Sequence, residues 1–456
     1  MSFNLLFFIF ITIYCSSKKE EGNNIQEKNK FNNLTQNNGT DDYYKEKTKR
    51  QLQDFQSIRI CLETQRLQID LEDVEESLLI INNTLKEAKE TLEKLIEVKR
   101  MDKFVIPNDI KNKIINTDKY RGTAEFLNNG YEYDLIIFVK ARSLTEEGWS
   151  DNTFAKPNIY WKSSDGRPII GSFKINYDYL NVVPSRVPNN NEEKAQALKI
   201  LFMHEITHIL GFEKTIFQNK LLSNKVSRRI NNKVITKTIF TGGNVIARAK
   251  KYFNCNSING LELDTNSVEG ENFPHWEGRL LLGDYMTSDL LYSDQLISEF
   301  TLALLEDLGW YKVNYYTGGL MKFGKNKGCD FLYKKCVIDN KVNPEFQNEF
   351  FNIFDTKYNN YLDPACTSGR QSRVYHYLLN YGDDAIPSPY QYYGNPKIGG
   401  RSSANYCPVF MNDIQSIKNI YYLGHCSDIG SNLYGDSITY TYSKTEKNYV
   451  SNGYHH

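Results

Sequence analysis

The sequence predicts an α+β fold that ends in an irregular, cysteine-containing region. Two runs have strand length: Asp134-Leu135-Ile136-Ile137-Phe138-Val139, apolar in the manner of a buried strand, and Pro168-Ile169-Ile170-Gly171-Ser172-Phe173-Lys174-Ile175, which follows a turn. Two longer stretches recur at threes and fours instead: Leu78, Ile81, Leu85, Ala88, Leu92 and Leu95, then Leu198, Phe202, Ile206 and Ile209. Each is the mark of a helix with one buried face. Beyond residue 340 neither period persists, Tyr and Asn are dense, and turn residues are frequent.

The 456 residues can bury more than one core. Lys plus Arg (55) equals Asp plus Glu (55), so net charge points to no polyanionic partner and no nucleic acid. Leu5 to Tyr14 is an apolar run too short to span a bilayer and placed like the core of a signal peptide. No basic residue precedes it, although Cys15 and Ser17 are small enough to flank a cleavage site. Residues 1–17 are thus expected to be a signal peptide. Residues 18–50, rich in Asn, Lys, Glu and Gln, are expected to be a disordered leader or propeptide. No other stretch reaches membrane length, and Ser451–His456 is no hydrophobic anchor-addition tail. The expectation is a secreted or cell-surface protein; membrane association stays open, and no feature sets an oligomeric state.

Ser57-Ile58-Arg59-Ile60-Cys61-Leu62 alternates as a strand does. The periodic stretch from Leu78 to Leu95 is either a core helix or a three-heptad coiled coil. Strand 134–139 follows, then a Ser-Asp-Gly turn, strand 168–175 and the polar loop Asn189 to Asn191. The next helix carries Met203-His204-Glu205-Ile206-Thr207-His208-Ile209-Leu210-Gly211-Phe212. His204 and His208, four apart, leave one helix face a turn apart and can place two imidazole nitrogens on one Zn²⁺. Glu205 sits beside them, near enough to take a proton from water without being a ligand. Gly211 falls where a left-handed cap would stop the helix. An amphipathic helix with two incidental histidines is the bland alternative, and a third ligand decides against it. Between Lys214 and Leu261 there is no Asp or Glu, which excludes a nearby carboxylate ligand. The first histidine after His208 is His275, in Phe273-Pro274-His275-Trp276-Glu277, and Gly283-Asp284-Tyr285-Met286-Thr287 comes soon after.

The His-Glu-x-x-His-x-x-Gly-Phe helix, the long insertion, the His-Trp-Glu segment and the Met286 turn together resemble the leishmanolysin family of metzincin zinc proteases. An ordinary metzincin carries its third histidine three residues after the glycine, where this chain has Lys214. The similarity continues through Leu304-Leu305-Glu306-Asp307-Leu308-Gly309-Trp310-Tyr311, Gly328-Cys329-Asp330-Phe331-Leu332, Cys366-Thr367-Ser368 and Asn405-Tyr406-Cys407-Pro408-Val409. It covers most of the chain from about residue 51. The resemblance implies a metzincin-type catalytic domain: a twisted mixed sheet with long helices, an active-site helix and a Met-turn. It implies one Zn²⁺ per chain held by His204, His208 and His275, Glu205 as general base, and Met286 as a non-ligand support beneath the imidazoles. It implies hydrolysis of internal peptide bonds in protein or peptide substrates. It also favours the core reading of the helix at 78–95 and makes Pro168–Ile175 the sheet's edge strand, where an extended substrate would pair.

The expected organisation is 51–211 as the amino-terminal catalytic subdomain, 212–270 as an insertion, 271–325 as the third-ligand and Met-turn segment, and 326–456 as a cysteine-containing domain. Residues 214 to 261 carry ten Lys or Arg, read as a solvated surface rather than a site for acidic substrates or membranes. Phe300, Leu304 and Leu308 line a helix closed by Gly309, expected to brace the floor below the metal. His376 and His425 are read as structural. Six cysteines, Cys255, Cys329, Cys336, Cys366, Cys407 and Cys426, can form three disulfides of unreadable pairing in an oxidising compartment. Cys61 is left over, either buried against Leu85 and Leu92 or a latency thiolate capping the zinc. Sequons at Asn33, Asn38 and Asn82 agree with secretion. The alternative from another class is a catalytically inactive extracellular or cell-surface adhesion protein retaining the fold; loss of a ligand or base would mark it, and all four positions are intact.

Overall fold

The computed structural model describes residues 55–65, 67, 75–118, 127–128, 130–142, 154–176, 191–264, 273–288, 295–315, 321–346, 349–351, 365–366, 373–374 and 378–409. The expected signal peptide, the leader, Asn33, Asn38, His376, His425 and Cys426 lie outside the described residues, as does the side chain of Cys366.

The elements run β1 (Phe55–Ser57), β2 (Ile60–Glu63), α1 (Glu75–Leu95), β3 (Ile96–Lys99), α2 (Asn108–Asp118), β4 (Leu135–Arg142), β5 (Ala155–Lys162), β6 (Pro168–Asn176) and α3 (Asn191–Leu210). Then come α4 (Lys214–Asn219), β7 (Ser223–Ile230), β8 (Lys233–Phe240), α5 (Gly243–Phe253), β9 (Leu261–Glu262), α6 (Gly278–Leu281), α7 (Glu299–Asp307), β10 (Tyr311–Val313) and α8 (Gly328–Tyr333). The architecture is α+β, as expected.

The main sheet has the order β2-β4-β6-β5, with β2, β4 and β6 parallel and β5 antiparallel to β6. Register sorts the side chains onto two faces, because successive residues of a strand point opposite ways. Ile60, Leu62, Leu135, Ile137, Val139, Phe173 and Ile175 share a core with α1 and α3. Cys61, Ile136, Phe138 and Ile170 share the other with Ile106, Ile114 and Tyr160. Helix α1 buries Ile81, Leu85, Ala88, Leu92 and Leu95 in the first core, so the coiled-coil alternative fails.

Two expectations about the strands need correction. Pro168–Asn176 is not an edge strand: among the described residues β2 and Ala155–Lys162 end the sheet, and β6 lies between Ala155–Lys162 and β4. The physical reason is burial: β6 is covered on both faces, whereas Lys156, Pro157 and Asn158 interrupt any apolar pattern in β5 and suit an outer strand. Cys61 does not face Leu85 and Leu92. Alternation turns it to the opposite face, and it is disulfide-bonded rather than left over as a thiol. The sequon residue Asn82 lies within α1, where its side-chain oxygen is buried.

Between α3 and the third histidine the chain forms the β7-β8 hairpin, α5 and β9, the last paired to β8. Not all of this basic stretch is solvated. Arg228 pairs with Glu262 at 2.8 Å, Lys237 with Glu277 at 3.1 Å and Arg248 with Glu299 at 3.1 Å. Helix α5 is capped from outside: the Asp307 carboxylate, at the end of α7, accepts from the N–H groups of Asn244 (2.8 Å) and Val245 (3.0 Å). Disulfides Cys255–Cys329 and Cys336–Cys407 tie α5 to α8 and α8 to the later tail. Phe331 of α8 stacks against Phe253 and Phe350, so one hydrophobic core runs from Ile58 to Val409.

Candidate metal centre

Helix α3 brings His204 and His208 onto one face because its other faces are taken by packing: Phe202, Met203, Ile206, Ile209 and Leu210 are all buried in the first core. The helix stops at Gly211, whose φ of +130° suits only glycine. A Cβ there would stand 2.8 Å from the Leu308 side chain, so α7 and its following turn press directly on the end of α3. Phe212 then turns its carbonyl back toward His208.

The third imidazole arrives from the far side of the insertion. His275 is held through its main chain: its carbonyl accepts from Asp264 N–H at 2.9 Å, and Trp276 N–H donates to the Met286 carbonyl at 2.9 Å. Three nitrogens thereby converge. His204 Nε2 lies 3.0 Å from His208 Nε2 and 3.1 Å from His275 Nε2. Among the described residues these three side chains form the one group of metal-ligating atoms close enough to hold an ion together.

Hydrogen bonding fixes which nitrogens carry protons. His204 Nδ1 donates to the Tyr285 carbonyl at 2.6 Å and His208 Nδ1 to the Phe212 carbonyl at 2.9 Å. Their Nε2 atoms are then bare lone pairs facing each other, an arrangement that is repulsive unless a cation lies among them. The site fits Zn²⁺ on this ground: neutral imidazoles, outer carbonyl partners and a buried setting. Burial pulls the His204 imidazole down to about 4 and holds His208 and His275 well below the ordinary histidine value, so all three are neutral at physiological pH. His275 differs in one respect. Its Nδ1 is buried without a hydrogen-bond partner among the described residues.

Glu205 follows His204 and is buried, its Oε2 without a hydrogen-bond partner among the described residues. Burial pushes its carboxyl up to about 8, which a nearby cation would lower. A buried carboxyl group that titrates near neutral pH is suited to holding and releasing a proton.

Met286 is fully buried in the turn after α6. That turn hangs on Asp284, a residue the sequence reading did not single out. Its carboxylate accepts from Met286 N–H at 2.6 Å, from the Thr301 hydroxyl at 2.8 Å and from the Ser298 hydroxyl. Burial raises Asp284 to about 6, with these donors pulling it back toward the charged form. Tyr285 supplies the carbonyl for His204, and its hydroxyl meets Thr207 Oγ1 at 2.8 Å, so helix and turn are locked twice. A main-chain acceptor leaves no mark in a sequence; Asp284 could have been found only as an acid amid apolar residues. Helix α7, capped by Ser298, buries Phe300, Leu304 and Leu305 in the first core and ends at Gly309 with φ +77°, as the expected brace does.

The leishmanolysin family model matches residues 47–431. A leishmanolysin-like peptidase of Drosophila pseudoobscura pseudoobscura is 26% identical over 371 residues, covering 71% of this chain and 51% of the relative. A leishmanolysin homolog of Crithidia fasciculata is 31% identical over 208 residues (45% and 30%), and the leishmanolysin of Leishmania donovani 26% identical over 251 residues (54% and 38%). The chain spans about half the length, or less, of these curated relatives.

Proposed function

The chain belongs to the leishmanolysin family, and from that premise we propose that it is a zinc endopeptidase with a metzincin-type centre. The observation that carries this is the convergence of His204, His208 and His275 through Nε2, two of them with Nδ1 committed to carbonyls, beside the buried Glu205. His204, His208 and His275 would hold one Zn²⁺ per chain, which when bound supplies a Lewis acid that polarises a carbonyl and lowers the pKa of water toward ~7. Glu205 takes a proton on its carboxylate as water attacks a peptide carbonyl and returns it to the leaving amine. Tyr285 and Phe212 hold two imidazoles in the tautomer that presents Nε2. Met286 supports the centre without being a ligand. Among the described residues Ala155–Lys162, not Pro168–Asn176, is the outer strand next to β6, and it is the strand proposed to meet an extended peptide.

Protein or peptide substrates and a secreted or cell-surface location are part of the same proposal, and the disulfides support an oxidising compartment. No observation favours the inactive adhesion protein. Zinc content and casein turnover of the purified chain test the proposal together: about one zinc per chain and chelator-sensitive cleavage are expected. A zinc-free, inert protein would refute it.

A further inference from the structure

We propose that Lys237, carried on the insertion, is a positioning residue for His275; this rests on reading His204, His208 and His275 as the zinc site. The imidazoles of His204 and His208 are aimed by carbonyl partners on Nδ1, whereas His275 Nδ1 has none among the described residues. What aims His275 is therefore the placing of its main chain. Residues 275–277 run between two supports: Asp264 N–H donates to the His275 carbonyl at 2.9 Å, Glu277 N–H to the Glu262 carbonyl at 3.1 Å, and Trp276 N–H to the Met286 carbonyl at 2.9 Å.

The segment is pinned at its end by a buried ion pair. Glu277 Oε2 accepts from Lys237 Nζ at 3.1 Å, with both side chains almost wholly excluded from solvent. The same ammonium donates to Asn405 Oδ1 at 2.9 Å, and the Tyr390 ring lies 5.4 Å from it. The other Glu277 oxygen accepts from Arg279 N–H at 3.3 Å and caps α6. One cation thus joins three parts of the chain: the β8 strand that carries it, the His275 segment, and the tail. Strand register explains why this lysine turns inward. Lys237 shares the inner face with Ile235 and Ile239, while Thr236 and Thr238 face the other way. Without the ammonium, the Glu277 side chain loses its link to β8 and to Asn405 whether it is charged or neutral, and left charged it also costs stability as a buried lone charge. His275, two residues away, would then lose the support that keeps it in line with the other imidazoles.

The test is zinc affinity of the full chain by chelator competition, alongside urea unfolding and the visible absorption of the cobalt-loaded protein. The variants are Lys237→Met, Lys237→Met/Glu277→Gln and, as a control ion pair away from His275, Arg248→Met. Both Lys237 variants should bind zinc roughly ten- to a hundredfold more weakly, the usual cost of losing an outer support of a metal ligand, and should shift the cobalt spectrum. Arg248→Met should match the parent in both. The double variant removes both charges and should regain most of the stability lost in the single one, yet keep the weakened affinity. Recovery of parental zinc affinity along with stability overturns the proposal, because the pair then serves the fold alone. Should Lys237→Met fail to fold, the double variant decides by the same comparison. Absence of zinc from the parent chain is a separate failure, that of the zinc-site reading itself.

Discussion

Gly171 is a sharp test of how the sheet positions the metal-binding helix. A Cβ at this position would lie 2.5 Å from Ile209 Cγ2 and 2.7 Å from the Asn158 carbonyl. One obstacle is a side chain next to His208 in sequence; the other is main chain of the edge strand and cannot rotate away. Two effects of Gly171→Ala oppose each other. Restricting the unfolded chain favours the variant by about 0.4–1 kcal/mol. Overpacking a close-packed core costs about 1–3 kcal/mol, toward the upper end where backbone must yield. The clash should win, with a net loss of about 1–2 kcal/mol, and the displacement of α3 should weaken zinc binding as well. Urea unfolding gives the first quantity and chelator competition the second. Ile209→Ala alone should cost about 2–5 kcal/mol. It should cost less in the Gly171→Ala background, a coupling of about 1 kcal/mol or more. A Gly171→Ala chain as stable as the parent, with strictly additive losses in the double variant, would refute the account.

Glu205→Ala should keep about one zinc per chain while turnover drops by at least ~10²–10⁴, measured by metal analysis and peptide hydrolysis; unchanged turnover removes Glu205 as the base. His275→Ala should lose zinc under mild chelation whereas His376→Ala and His425→Ala should not, and equal retention in all three would place the ligand elsewhere. Asp284→Ala strands the Met286 N–H and the Ser298 and Thr301 hydroxyls without their acceptor, so about 2–4 kcal/mol of unfolding free energy should disappear. The pH dependence of the metal-free protein follows from the buried groups. His204 falls from 6.5 to about 4 on folding, so the unfolded chain holds more protons and stability declines as pH drops through that window, by about 3 kcal/mol for this residue; His208 and His275 act the same way. Glu205 rises from 4.5 to about 8, so its contribution is present at low pH and lost as pH climbs to 8. These four groups put the stability maximum in chelator near pH 6.5, and a flat profile from pH 4.5 to 8 would contradict them.

The sequence alone indicated the class of fold and the three histidines that the structure brings together. Buried strands and helices announce themselves through period, because a strand covered on both faces must be apolar throughout and α1 must keep one apolar stripe. The spacing of His204 and His208 is a local consequence of helix geometry, and His275 was recoverable through the resemblance of its His-Trp-Glu segment to the leishmanolysin pattern. What escaped the sequence depends on partners far away in the chain. Strand order could not be read, since Pro168–Asn176 looks the same whether central or at an edge until Ala155–Lys162 pairs with it. The face on which Cys61 lies depends on where the strand begins, since Arg59 separates β1 from β2 and each joins a different sheet. The carbonyls of Tyr285 and Phe212 that fix two tautomers carry no side-chain signature. Lys237 read as one of ten solvated cations, and only the packing of β8 against the His275 segment buries it on Glu277. Local geometry is written in the order of residues, whereas the supports that aim the imidazoles arise only when distant segments exclude water from one another.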